Sequence, residues 1–512
     1  MFYTKNFRCI KMSDTHCKND CKKNKKAYTG SMFSIADVNG MKVTVMGLGL
    51  NGGGLVSAVF FARHGAEVTV TDMKDERFLR ASLDALNDFP DIRFVLGRHE
   101  IADFANADLV IKNPGVKRDG NRFLDAAKKI ETDISIFLQL TEAPIIAVTG
   151  SKGKSSTVSA LQFGFSALGY RSFLGGNITV SPLTFWDKVS EKTPVVLELS
   201  SFQLNDLRGC GFFKPCISII TPIVADHQNW YGSMEAYLAD KKVIYRNQDL
   251  HDFTICNADQ HWGAEFARET KAAVGFYSAH KTALTDCSAH FGKAPRVYFT
   301  EKGEGVVYNG DEETLLVPRD TQVLSFPLKQ NVLNAAFALY RYGVNPELIP
   351  AVMKRYPGLE HRLEFFYETE TLRFYDDTTA TVPEAAVAAL NAFSADGFAP
   401  PILIAGGTDK NLQFAQFARE AKKAGAIFLL EGTATELLIP ELKKNEVPFF
   451  GTFNSLEKLL LEVKDYTTGL VVSTPQKKIP VVLSPGAASF GLFKNEFDRG
   501  NQFKALVKKI FL

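Results

Sequence analysis

Short, almost wholly apolar runs recur along the chain, separated by longer stretches with apolar residues at helical spacing. Lys42–Met46, Leu109–Lys112 and Ile145–Thr149 are such runs, as are residues 66–71, 195–199 and 217–221. Ile402–Ala405, Ala426–Leu430 and the segments 373–375 and 481–483 repeat the pattern towards the C-terminus. Continuous apolar runs of this length predict strands buried on both faces, which is the habit of parallel sheets. Residues 55–64 and 330–340 read as helices. Strands alternating with helices predict an α/β protein with mostly parallel sheets.

The runs fall into three groups. The pattern predicts a first domain over residues 41–138, a second over 139–358 and a third over 359–512. About 150 residues per domain gives the same count for 512 residues. Residues 1–40, rich in Lys, Asn and Cys and without an apolar core, read as a disordered basic extension, with Met32 and Met41 as alternative starts.

Two of the strands run directly into glycine turns. After Lys42–Met46 comes Gly47-Leu48-Gly49-Leu50-Asn51-Gly52-Gly53-Gly54, and the next strand ends at Asp72. Glycines let a backbone approach a diphosphate at a helix N-terminus, and an acid one strand later can accept hydrogen bonds from a ribose or a base. After Ile145–Thr149 comes Gly150-Ser151-Lys152-Gly153-Lys154-Ser155-Ser156. Its Gly-Lys-Ser end matches a P-loop, in which amides wrap phosphate, the lysine reaches the terminal phosphates and the serine hydroxyl meets magnesium. Val148 stands where the generic motif has its first glycine. Glu198 ends the next apolar run and Asp226-His227 follow the one after, so a carboxylate and an imidazole belong at the crevice beyond the strand ends. Both suit a metal that bridges phosphates.

Composition narrows the partners rather than the fold. Charged residues make up 23% and the formal net charge is +2, so no global basic field points to nucleic acid. No apolar stretch approaches the ~20 residues of a membrane span. Seven scattered cysteines fit reduced thiols, and a cytoplasmic, monomeric protein without membrane or nucleic-acid partners is expected.

Further motifs converge on one family. Asn113-Pro114-Gly115, Gly175-Gly176-Asn177-Ile178, Glu198-Leu199-Ser200-Ser201-Phe202-Gln203-Leu204, and Tyr237 followed by Lys241 stand with the two glycine turns. Asn331 with Asn334, His361-Arg362, Asp376-Asp377, Gly406-Gly407, residues 483–489 and Arg499-Gly500 complete the set. With these the chain resembles the Mur ligases, and among them the D-glutamate-adding branch, over residues 41–512. The resemblance implies Rossmann-like first and third domains around a central P-loop ATPase domain. It implies an ATP-dependent ligase that adds D-glutamate to UDP-N-acetylmuramoyl-L-alanine, with ATP and two Mg2+ ions.

The same resemblance assigns residues. Leu48, Gly49, Leu50, Asn51, Asp72, Asn113, Gly115, Asn177, Ser200 and Gln203 would bind the UDP precursor. Gly150, Ser151, Lys152, Gly153, Lys154, Ser155, Ser156, Asn331, Asn334, Arg362 and Asp377 would serve ATP. Ser155, Glu198, His227 and a carbamylated Lys241 would hold metal; Lys154, His227, Lys241 and Lys410 would be catalytic. Lys410, Ser489 and Thr381 would grip D-glutamate. Against the family pattern, Lys152 replaces an Asn, Gln330 a His and Thr379 a Lys, and Asn495-Glu496-Phe497 inverts the usual aromatic–acid order. Rival readings are another Mur-type or folylpolyglutamate-type ligase, a nicotinamide-dependent oxidoreductase built on the first turn, and a non-catalytic nucleotide-binding regulator.

Overall fold

The computed structural model describes residues 33–49, 52–178, 180–281, 294–324, 326–395, 398–469 and 478–512. Leu50 and Asn51, assigned above to the precursor, lie outside the described residues, as do residues 1–32. The ordered chain begins before the expected Met41. The Phe33 amide donates to Gln139 Oε1 at 3.0 Å, and the Phe33 ring packs edge-on against Phe61. The Ser34 hydroxyl caps the 3-10 turn Ile35–Asp37. Residues 33–40 therefore belong to the fold and not to an extension; an apolar anchor this short carries no periodicity to find.

The chain forms two compact units. One holds the residues up to Leu316 together with Asn334–Leu348; the other holds Val317–Leu333 and Ile349–Leu512. The first unit contains two sheets. Its N-terminal sheet comprises β1 (Lys42–Met46), β2 (Glu67–Asp72), β3 (Arg93–Leu96), β4 (Leu109–Lys112) and β5 (Ile130–Glu131), in the order β3-β2-β1-β4-β5. All its pairings are parallel. The order reverses between β1 and β4, and such a switch point opens a crevice at the strand ends.

The second sheet comprises β6 (Ile145–Thr149), β7 (Phe173–Gly176), β8 (Val195–Glu198), β9 (Ile217–Ile220), β10 (Phe253–Asn257), β11 (Ala273–His280), β12 (Arg296–Phe299), β13 (Gly305–Tyr308) and β14 (Glu313–Val317). Its order is β14-β13-β12-β11-β10-β9-β6-β8-β7. It is parallel from β7 to β12 and turns antiparallel at β12–β13. β6 thus lies between β8 and β9, with Val148 opposite Glu198 and Thr149 opposite Ile220. That placement brings the ends of three strands together. Both sheets feed one apolar core, in which Phe61, Phe137, Leu197 and Phe276 are fully buried.

The second unit carries β15 (Glu364–Glu368), β16 (Leu372–Asp376), β17 (Ile402–Ala405), β18 (Ala426–Leu430), β19 (Phe450–Phe453) and β20 (Ile479–Leu483), in the order β15-β16-β20-β17-β18-β19. Only the β15–β16 pairing of this sheet is antiparallel. The helix Phe326–Tyr342 spans the division between the units. Among the described residues no helix is long and apolar enough to cross a membrane.

Candidate functional site

The first glycine turn lies at the β1/β4 switch point and is held by its own side chains. Gly47 has φ +89°, Gly49 φ +62° and Gly52 φ +87°, conformations that favour glycine. A Cβ on Gly54 would fall 2.2 Å from the Gly47 carbonyl oxygen, so the helix Gly53–Arg63 can start this close to the strand only without one. Asp72 Oδ2 accepts the Gly49 amide at 3.2 Å and its Oδ1 accepts the Lys74 amide at 2.9 Å, while the Ser82 hydroxyl donates to the Gly49 carbonyl. The buried Asp72 carboxylate therefore frames the turn, with both oxygens engaged. Leu48 is buried in the core.

Beside this turn opens a cleft of about 500 Å³. Gly47, Gly49, Asn113, Gly115, Asn177, Ser200 and Gln203 line it, so most of the residues assigned to the precursor meet here. Asn113 Oδ1 accepts the Gly115 amide at 3.0 Å and shapes the intervening turn. Ser200 and Gln203 form a capping box for the helix Ser201–Asp206: Ser200 Oγ accepts the Gln203 amide, and Gln203 Oε1 accepts the Ser200 amide. Their polarity thus builds the helix end that faces the cleft. Lys74, Lys112, Asp133, Ser181 and Phe202 also line the cleft and were missed by sequence reasoning. Burial raises the Asp133 carboxyl above its ordinary range.

At the second turn the charges accumulate. Gly150 has φ +149°, and a Cβ there would strike Thr221 Oγ1; Gly153, at φ +89°, caps the helix Lys154–Ala167. The amides of Ser151 and Lys152 donate to the Pro222 carbonyl, and Ser151 Oγ donates to the Val224 carbonyl, stitching the turn to the loop after β9. Lys154 Nζ donates to the Gly150 carbonyl at 3.0 Å and to that of Ser151 at 3.2 Å. Lys241 Nζ donates to the same Gly150 carbonyl at 2.9 Å. Lys241 is buried, and its amine also sits 4.5 Å from the Tyr237 ring centroid. Burial first, and then repulsion from Lys154, push its pKa down to about 7. The Lys154 ammonium and the Lys241 amine thus meet on one carbonyl, and Lys154 is the cation this turn offers to an anion.

Glu198 ends β8, paired with Val148 of β6 just before the turn, and is buried. Its Oε1 accepts Asn177 Nδ2 at 2.9 Å, while Oε2 has no hydrogen-bond partner among the described residues. Gly176, at φ +101°, makes this possible: a Cβ there would lie 2.1 Å from the Glu198 carbonyl oxygen. A buried, unpartnered carboxylate oxygen fits a cation that the protein itself does not supply. Ser155 is half-buried and Ser156 buried in the first turn of the following helix. His227 is exposed in a left-handed conformation at φ +53°, its ring 4.8 Å from that of Phe202. Lys152 is exposed, 3.9 Å from Asp226. Asn334 is buried beside the Tyr277 phenol, and Asn331 lies three residues earlier on the same helix.

In the second unit Arg362 is exposed between His361 and Leu363, which adopt φ +64° and +44°. Asp376 Oδ2 meets His361 Nδ1 at 2.7 Å. Asp377 Oδ1 accepts the Leu363 amide at 3.1 Å, and its Oδ2 accepts the Ser484 hydroxyl at 2.6 Å. Asp377 is therefore a buried brace of this loop, and burial pushes its carboxyl up to about 7. Ser489 is buried, with its Oγ unpartnered among the described residues. Lys410 is exposed, 5.3 Å from the Phe490 ring centroid, and Thr381 is half-buried. Phe497 packs on His361, with ring centroids 5.6 Å apart, so Phe490 is the aromatic beside Lys410. Gln330 is buried, and Thr379 Oγ1 donates to the His361 carbonyl at 2.8 Å.

Residues 41–135 match the family described as Mur ligase MurD-like, N-terminal domain, and residues 148–340 match the Mur ligase middle domain. A UDP-N-acetylmuramoylalanine--D-glutamate ligase of Treponema pallidum (strain Nichols) is 42% identical, covering 93% of this chain and 98% of its own. The chain belongs to the Mur ligase family. An enzyme of the same description from Borreliella afzelii (strain PKo) is 38% identical and covers 92% of this chain and 99% of its own. The fold is also that of the UDP-N-acetylmuramate-alanine ligase MurC from Thermotoga maritima, with TM-score 0.53 at 20% identity over 92% of this chain and 99% of that one. MurF from Acinetobacter baumannii gives TM-score 0.54 at 14% identity over 92% and 94%.

Family membership accounts for the motifs, whereas the lining missed by sequence reasoning has local causes. Asp133 opens the helix Asp133–Leu140 after a Thr132 capping box, and this S/T-x-x-S signal was legible but carries no ligand information. Lys112 sat unremarked at the end of an apolar run.

Proposed function

We propose that the chain is an ATP-dependent ligase that adds D-glutamate to UDP-N-acetylmuramoyl-L-alanine in peptidoglycan precursor synthesis, acting as a monomer in the cytoplasm. The observation that carries this reading is the meeting of Lys154 and Lys241 on the Gly150 carbonyl, at the end of the strand that pairs with the strand ending in the buried Glu198. The precursor carboxylate takes the γ-phosphoryl group of ATP, giving an acyl phosphate and ADP. The D-glutamate amine then attacks the acyl carbon, the tetrahedral intermediate collapses, an amide forms and phosphate leaves. Two anions must meet in the first step, so the binding residues have to supply positive charge before chemistry begins.

Lys154 does this directly, and turn amides at the helix start add to it. Ser155, Glu198, His227 and a carbamylated Lys241 would hold two Mg2+ ions, which screen the phosphates when bound. A depressed lysine pKa favours that modification: the neutral amine adds carbon dioxide and releases a proton, and the resulting carbamate is an anionic ligand. In the cleft beside the first turn, Gly49, Asn113, Gly115, Asn177, Ser200 and Gln203 hold the UDP precursor. Asn331, Asn334, Arg362 and Asp377 serve the nucleotide, Asp377 by bracing the loop of Arg362. Lys410, Ser489 and Thr381 hold the D-glutamate carboxylates. Ser489 Oγ, buried and without a hydrogen-bond partner among the described residues, supports this.

The test is phosphate release by the purified chain with ATP, UDP-N-acetylmuramoyl-L-alanine and Mg2+, supplied with D-glutamate, L-glutamate, L-alanine or a folate monoglutamate acceptor in turn. Release that requires the precursor and D-glutamate is expected. Equal release with any other amino acid would move the chain to another ligase branch.

A further inference from the structure

We propose that Lys112 is a positioning residue for the UDP precursor, tying together the two walls of its cleft; this rests on the precursor reading of that cleft given above. Lys112 ends β4, inside the N-terminal sheet, and its ammonium is buried. A charged group in such a place is costly unless its hydrogens are all engaged. Nζ donates to the carbonyls of Asn113 at 3.1 Å and Val116 at 2.8 Å, and its charge is paired with Asp206 Oδ2 at 2.8 Å.

These three contacts reach both walls. The two carbonyls belong to the turn that holds Asn113 and Gly115 on one wall. That turn is packed against the glycine turn, since a Cβ on Gly47 would lie 2.9 Å from Asn113 Cβ. Asp206 ends the helix Ser201–Asp206, which presents Phe202 and Gln203 to the other wall. The two charges lie 94 positions apart in sequence, on β4 of one sheet and on the helix that follows β8 of the other. Burial raises the Asp206 carboxyl to about 6, against the opposing pull of Lys112 and Arg118. Its carboxylate form at neutral pH thus leans on the lysine. With two hydrogens given to carbonyls and its charge paired with Asp206, Lys112 acts through the walls and not by gripping the ligand.

Lys112→Met, Asp206→Asn, the double variant and Lys112→Arg are compared with the unaltered chain by steady-state phosphate release, with cooperative thermal unfolding as the check on folding. Lys112→Met and Asp206→Asn should each raise the precursor KM about tenfold or more, with kcat and the KM values for ATP and D-glutamate within about twofold. The double variant should be little worse than the poorer single one, because both remove the same tie. Lys112→Arg, which keeps charge and donors, should stay within about threefold of the unaltered chain. A folded Lys112→Met with unchanged precursor KM, or single effects that simply multiply in the double variant, would overturn the proposal. An unaltered chain that fails to turn over the precursor at all would instead overturn the function on which it rests.

Discussion

The two glycine turns of the first unit begin alike and end differently. Each follows a buried parallel strand, uses glycines at positive φ and starts a helix. In the first, the nearest carboxylate is consumed by the turn: Asp72 takes the amides of Gly49 and Lys74. In the second, two lysines from distant parts of the chain converge on one carbonyl, and the neighbouring strand ends in Glu198, whose Oε2 has no hydrogen-bond partner among the described residues. The first turn is a shaped cradle and the second a charged socket. A glycine pattern marks where a backbone can come close to phosphate; long side chains arriving from elsewhere decide whether chemistry can happen there.

Four substitutions sharpen or break that contrast. Lys154→Ala removes a cation of the socket and should lower phosphate release by about 10³-fold or more. Protection of the chain against heat by the UDP precursor should persist, because the cradle is untouched; normal turnover would break the contrast at its centre. Gly54→Ala puts a methyl group against the Gly47 carbonyl and should cost about 2–3 kcal/mol of stability. It should also abolish heat protection by the precursor, whereas an unchanged melting temperature would mean that the close approach does not matter.

Asn177→Ala frees the Glu198 carboxylate from its orienting partner. It should raise the Mg2+ concentration for half-maximal rate about 10–100-fold. If the Mg2+ requirement did not move, Asn177 would serve the precursor alone and not orient Glu198. Asp377→Asn tests stability outside both turns, in the second unit. The folded pKa of Asp377, about 7, lies above its ordinary value of 3.8, so the folded chain binds the extra proton between these values. This group therefore favours folding below about pH 4, and the advantage is lost as pH rises through about 7. The asparagine variant should melt higher than the unaltered chain at pH 8, by about 1–2 kcal/mol, with the gap closing near pH 4. A gap that does not vary with pH would refute the sign of the shift.

Much of the frame was legible along the chain. β1, β4, β6, β17 and β18 fall where continuous apolar runs place them, because a strand buried on both faces leaves no room for polar interruption. The helix read at residues 330–340 extends to Phe326–Tyr342, starting beside Pro327, which reads as a breaker along the sequence. The strands β12, β13 and β15, each in an antiparallel pair, escaped notice because they are only four or five residues long. In the site, Lys154 and Glu198 were readable from a local motif and a strand end. The framing role of Asp72 and the bracing role of Asp377 were not, since an acidic residue reads the same whether it faces a ligand or a backbone amide.

Local sequence by itself determined the buried strands, the glycine turns and the helices that follow them, because each rests on contacts between near neighbours and on the φ freedom of glycine. Only the tertiary structure decided which charges meet. Lys241 reaches the Gly150 carbonyl across 91 positions, and Lys112 reaches Asp206, because β6 is placed between β8 and β9 and β4 beside β1. Strand order is a property of the assembled sheets, and an ion pair across it strengthens once burial has removed the water that would otherwise screen its two charges.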